Sequence, residues 1–218
     1  MKLLLINSGD KNPFASLYDG NGLSTVYSNE FNSSNTAGKP DNLINCLVNL
    51  SSRISFKELD AIAVTIGPGS FTGIRVGLSL AKGIVFGINK PLIPVNNFEL
   101  MLQRVPDSDS TKKYCVIIPS KLPEYYYAVI EKGIISSFGA ENIENISKLL
   151  NNEAVVVGDF DDETQLKHCY FSIINLKNGA SEPESLANLA VKYFNEGYLI
   201  DSQKVQPFYI KEFNLKKP

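Results

Sequence analysis

The stretch Gly67-Pro68-Gly69-Ser70 follows one apolar run and opens a longer one, and its residue types suggest chemistry. A serine after a glycine-rich turn can cap the free N–H groups at a helix start, and such a start attracts anions. Gly67, Gly69 and Ser70 are therefore candidate anion-loop residues. No Gly-Lys-Ser/Thr follows the turn and no Gly-x-Gly-x-x-Gly follows Ile66, so neither phosphate-binding fingerprint is formed, and a plain strand-to-helix turn is the competing reading. His168 is the only histidine, which rules out a two-histidine metal site. It adjoins Cys169, but neighbours on an extended segment point to opposite faces, so the two read as structural rather than as a nucleophile and its base. Asp159, Asp161, Asp162 and Glu163 could gather round a divalent cation, yet carboxylates at a helix start are favoured by the helix dipole without one. Tyr125, Tyr126 and Tyr127 read as a strand facing two ways rather than a base-stacking platform. Cys46, Cys115 and Cys169 are odd in number, far apart and without a CxxC pair, as expected of small buried thiols. No catalytic residue, metal site or cofactor of the chain's own is identifiable.

The elements that must position the loop recur. "KLLLINS", "PFASLYDG" and "GLSTVYSNE" read as three strands, the last two joined at Asp19-Gly20-Asn21-Gly22. "PDNLINCLVNLSSR" carries Leu43, Leu47 and Leu50 at helical spacing, "AIAVTIG" is a buried parallel strand, and a glycine-rich helix follows. From Tyr114 the order returns: "YCVIIPS", "EYYYAVIEKG" and "IISSFGA" as strands, "ENISKLLNN" as a helix, "AVVVGD" as a buried strand. "SEPESLANLAVKYFNEG" then fills the place of the second helix, with Ser181 or Ser185 as its cap. Two βββαβα halves predict a duplicated α/β architecture of the actin-like, ribonuclease-H-like kind. The polar stretch "RVPDSDSTKK" reads as the linker, giving halves 1–105 and 106–218, with the last helix and tail of the second able to pack back on the first.

With 218 residues, 44% hydrophobic and 20% charged, the chain can bury a substantial core. A net charge of −2 and a pI near 5.5 exclude strong independent binding to nucleic acid. The N-terminal apolar run is too short for a signal peptide and no run reaches spanning length uninterrupted, which predicts a cytoplasmic protein without membrane attachment.

The helix "FTGIRVGLSLAKGIVFGI" contains Gly73, Gly77, Gly83 and Gly87. Together they cost roughly 2–4 kcal/mol of helix stability relative to alanine. Close approach of another backbone offsets this, and the stripe is expected to meet the chain's own sheet in part and a second protein chain in part.

"IGPGSFTGIRVGLSLAKGI" resembles the signature of the TsaB (YeaZ) family of bacterial tRNA-modification proteins. Weaker likenesses extend along the chain: "LLLINS" where that family has an apolar strand ending Asp-Thr-Ser, "EYYYAVIEKG", "VVVGD" and the tail "PFYIK". The resemblance implies the duplicated actin-like fold. It also implies a non-catalytic partner of TsaD, the subunit that transfers threonylcarbamoyl to the adenosine next to the anticodon in tRNAs reading ANN codons. A small ATPase, TsaE, completes the assembly; ATP and a metal ion belong to the partner subunits, and tRNA is met only through them. The chain alone is expected to form a homodimer through the surface that TsaD takes. Leu43 and Leu47 of the first helix, with Arg75, Gly77, Leu78, Ala81, Lys82 and Val85 of the second, are the expected contact. Three departures mark a divergent member: Asn7 in place of Asp, Pro119-Ser120-Lys121 for Asp-Ala-Arg, and Lys39-Pro40-Asp41 for a His-Ser pair. An amide at position 7 carries no charge to hold a hydrated metal, which argues against the alternative of an autonomous actin-like ATPase or sugar kinase. The lone histidine cannot build TsaD's HxxxH motif or support a glycoprotease-like peptidase.

Overall fold

The computed structural model describes residues 1–9, 13–28, 40–120, 123–150, 153–160 and 172–210. In the first half, β1 (Leu3–Asn7), β2 (Phe14–Tyr18) and β3 (Leu23–Ser28) form an antiparallel meander. Helix α1 (Pro40–Ser51), β4 (Ala61–Gly67), α2 (Phe71–Ile88), β5 (Leu92–Asn96) and α3 (Asn97–Gln103) follow. β4 lies parallel to β1, and β5 parallel to β4, giving the order β3-β2-β1-β4-β5. The second half runs β6 (Lys113–Pro119), β7 (Glu124–Glu131), β8 (Ile134–Asn142), α4 (Ile143–Leu150), β9 (Ala154–Gly158), β10 (Ser172–Asn175) and α5 (Glu182–Asn195). Its sheet order, β8-β7-β6-β9-β10, is that of the first read from the same end, with the same parallel and antiparallel pairs.

The duplication is thus present, and each half carries a fifth strand that the βββαβα reading lacked. Because β10 intervenes, α5 corresponds to α3 and not to the second helix. β5 is short and contains Pro94, which has no N–H to give a ladder and is tolerated on the outer strand where β5 lies.

Both faces of the first sheet are covered, which is why its inner strands are continuously apolar. Leu4, Ile6, Ile62 and Val64 face α1 and α2, while Leu3, Leu5, Ala61 and Ala63 face Leu186, Ala187, Leu189 and Ala190 of α5. The chain's last described helix therefore completes the layers of the first half. In the second sheet Cys115, Ile117 and Val129 pack with Ile146 and Leu150 of α4. Val116, Ala128 and Val157 pack with Phe98 of α3 on the other face. Tyr125 and Tyr127 go to the first of these cores and Tyr126 to the second, as an alternating strand requires.

Candidate functional site

β1, β4 and the start of α2 converge on one point. The Ser8-Gly9 backbone leaves β1 directly beneath α2, and a Cβ at Gly73 would collide with the Ser8 carbonyl, one at Gly77 with the Ser8 hydroxyl. These two glycines admit the strand end. Gly83 and Gly87 have open space where a Cβ would stand, so the stripe divides into an internal half and an outward half.

The Gly67–Ser70 loop is filled by its own chain. Ser70 N–H donates to the Gly9 carbonyl at 2.8 Å, and the Ser70 hydroxyl accepts from Gly73 N–H at 3.2 Å. Asn97 Nδ2 donates to the Pro68 carbonyl at 2.9 Å. Gly67, at φ +111°, lies against the Phe208 carbonyl from the tail, and Gly69 against the Gly9 carbonyl. The Ser70 and Gly73 N–H groups are thus satisfied within the chain, as a strand-to-helix turn requires.

Asn7 is fully buried, and both ends of its amide are hydrogen-bonded. Thr65 Oγ1 and the Gly9 N–H donate to Oδ1 at 2.7 and 3.2 Å, and Nδ2 donates to Glu182 Oε1 at 2.7 Å. The actin-like fold implies a nucleotide and divalent cation between its halves. A neutral amide already bonded to a hydroxyl, an N–H and a carboxylate does not suit a hydrated cation. Among the described residues no cluster of three His, Cys, Asp or Glu side chains could hold a metal. Asp159 lies 3.8 Å from Arg104, whereas Asp161, Asp162, Glu163, His168 and Cys169 lie outside the described residues. Burial pushes the Cys46 thiol up and that of Cys115 up to about 12, which holds both protonated and poorly nucleophilic.

The expected contact residues divide by burial. Leu43, Leu47, Gly77, Leu78, Ala81 and Val85 are buried within the first half, where they hold α1 and α2 to the sheet. Of that group Arg75 is exposed and Lys82 half-buried. The apolar residues that do face outward are Ile44 and Val48 on α1, one turn apart, and Phe86 on α2, which is 83% exposed and flanked by open Gly83 and Gly87. The helical spacing that marks these helices in the sequence marks the side that faces the core. Phe86 is a large aromatic among small residues on the opposite side of α2. α2 is also long and apolar enough to cross a membrane, with a mean hydropathy of 1.4. Its place as the β4–β5 crossover accounts for that composition.

Residues 42–180, more than half of the chain, match the family described as TsaD, tRNA N6-adenosine threonylcarbamoyltransferase. The tRNA threonylcarbamoyladenosine biosynthesis protein TsaB of Haemophilus influenzae is 27% identical over 179 residues, 74% of each chain. That of Escherichia coli is 25% identical over 180 residues, again 74% of each. The chain belongs to this TsaD-like family, as one of its TsaB (YeaZ) members. The solved structure of YeaZ from Pseudomonas aeruginosa superimposes with a TM-score of 0.71 at 16% identity, covering 95% of this chain and 99% of that one. The likeness shows that the two chains have the same duplicated fold. In this chain Ser70, Gly73 and Gly77 build the α2 start and its packing on Ser8.

Proposed function

We propose that this TsaB chain acts in tRNA threonylcarbamoyladenosine biosynthesis as a non-catalytic subunit that binds a TsaD-like transferase. The observation that carries the reading is the outward apolar side of α1 and α2, with Phe86 83% exposed beside two glycines on which an added Cβ would meet nothing. Surface of this kind on an otherwise charged protein favours a protein partner. The engaged amide of Asn7 and the buried thiols supply no nucleophile, base or metal ligand, which supports a scaffold over an enzyme. ATP and the metal ion are then needs of the transferase and of a TsaE-like ATPase, tRNA is met through them, and the complex is cytoplasmic. Alone, the chain covers the same side with a second copy, and the transferase displaces it.

The test is Phe86→Asp and Gly83→Arg. Neither residue touches the chain's core, so both variants should keep the native circular dichroism and melting behaviour. Phe86→Asp should weaken association with the TsaD-like partner about a hundredfold, the scale of an interface hot spot. Undiminished binding by both folded variants would place the partner elsewhere.

A further inference from the structure

We infer that the tail Val205–Ile210 is a strap that ties the two halves together and holds the start of α2 in one orientation. Its residues divide between the halves in turn. Val205 is buried in the first core. Phe208 sets its ring edge-on to Phe138 of β8 at 5.1 Å and, like Ile210, packs against the second core. Between them Tyr209 turns the other way, onto Phe71 of α2 at 5.2 Å, and its hydroxyl accepts from Arg75 Nε at 2.7 Å. The Arg75 guanidinium lies 3.8 Å over the Phe71 ring, so cation, two rings and hydroxyl form one cluster at the first turn of α2.

Alternation of this kind is what an extended segment does when each of its faces has an apolar surface to meet. The backbone joins in: Phe208 N–H donates to the Ile66 carbonyl at the end of β4 at 2.8 Å. The Phe208 carbonyl lies where a side chain on Gly67 would have to go, so that position is kept side-chain-free for the strap. Upstream, Ile200 exchanges both backbone hydrogen bonds with Leu92 and fastens the tail along β5, at 2.9 and 3.2 Å. Two joined α/β halves can rock against each other, and each segment that crosses between them, as α3 and α5 also do, opposes the motion. A segment bonded to the β4–α2 turn on one side and wedged against β8 on the other opposes that motion.

A strap couples what it joins, and mere local packing does not. Hydrogen–deuterium exchange on the full chain distinguishes them with Phe208→Ala, which removes a contact to the second half, and Tyr209→Ala, which removes one to the first. Each should raise exchange about tenfold in both the turn and first turn of α2, residues 66–75, and in β8. Faster exchange confined to the half that the lost side chain touched would overturn the inference. Should an alanine variant fail to fold, Phe208→Leu and Tyr209→Phe pose the same question with smaller cuts. The readout needs no partner chain, so its outcome is independent of where the TsaD-like subunit binds.

Discussion

At the scale of single residues, Asn7 shows how one atom changes what a site can do. Its Nδ2 donates to Glu182 Oε1 at 2.7 Å, and with Asp in its place two carboxylates would face each other at that distance. Burial and like charge both raise the pKa of one of the pair in the folded state above its unfolded value. A raised acid pKa means the folded chain binds more protons than the unfolded one, so stability falls as pH climbs past the ordinary carboxylate range. Asn7→Asp should therefore cost about 3 kcal/mol at pH 7. Most of the loss should return near pH 4, where one carboxyl is protonated and can donate to the other. Urea denaturation at the two pH values checks this, and a variant equally stable at both would show that Glu182 swings away. The importance of position 7 was legible from its place at the strand end. Its partner was not, because Glu182 lies 175 residues away and only the packing of α5 on the first sheet brings it near.

At the scale of elements, α2 separates two uses of glycine that one helix wheel merges. A Cβ on Gly77 meets the buried Ser8 side chain, whereas one on Gly83 meets nothing. Gly77→Ala should thus destabilise by about 1–3 kcal/mol through overpacking. Gly83→Ala should stabilise by about 0.5–1 kcal/mol, because the helix gains alanine's propensity at no steric cost. Equilibrium denaturation of the two variants should move the midpoint in opposite directions, and equal shifts would mean that the strand end yields to the helix. Such elements differ in how clearly the chain announces them. β1 and β4 are unbroken apolar runs because both faces are covered, and α2 has length and a serine whose side chain caps Gly73. β5 and β10 are four or five residues long, and β5 includes a proline, so their pairing is set by the neighbouring strand rather than by local pattern. Periodicity finds the apolar stripe of α1 and α2, and in a layered fold that stripe belongs to the core, whereas an outward residue such as Phe86 has no period to announce it.

At the scale of the whole molecule, the two halves are similar in order but not independent in structure. The face of the first sheet made by Leu3, Leu5, Ala61, Ala63, Ile93 and Val95 is covered by Leu186, Ala187, Leu189 and Ala190, which belong to the last helix of the second half. α3, from the first half, in turn places Phe98 in the second core while Leu100 stays in the first. Tyr193 of α5 donates its hydroxyl to Glu99 of α3 at 2.9 Å, and burial together with that carboxylate holds the phenol protonated well above its usual range. Each half therefore finishes its neighbour. A fragment of residues 1–105 would expose an apolar sheet face to water, and at about 25 cal/mol per Å² such exposure soon exceeds the stability of a small domain. It should fail to give native circular dichroism when expressed alone. The full chain should unfold in one calorimetric transition, and Leu186→Ala should lower that transition as a whole by about 2–5 kcal/mol. Two resolved transitions, only one of them shifted by Leu186→Ala, would mean that α5 leaves the first sheet before the halves unfold.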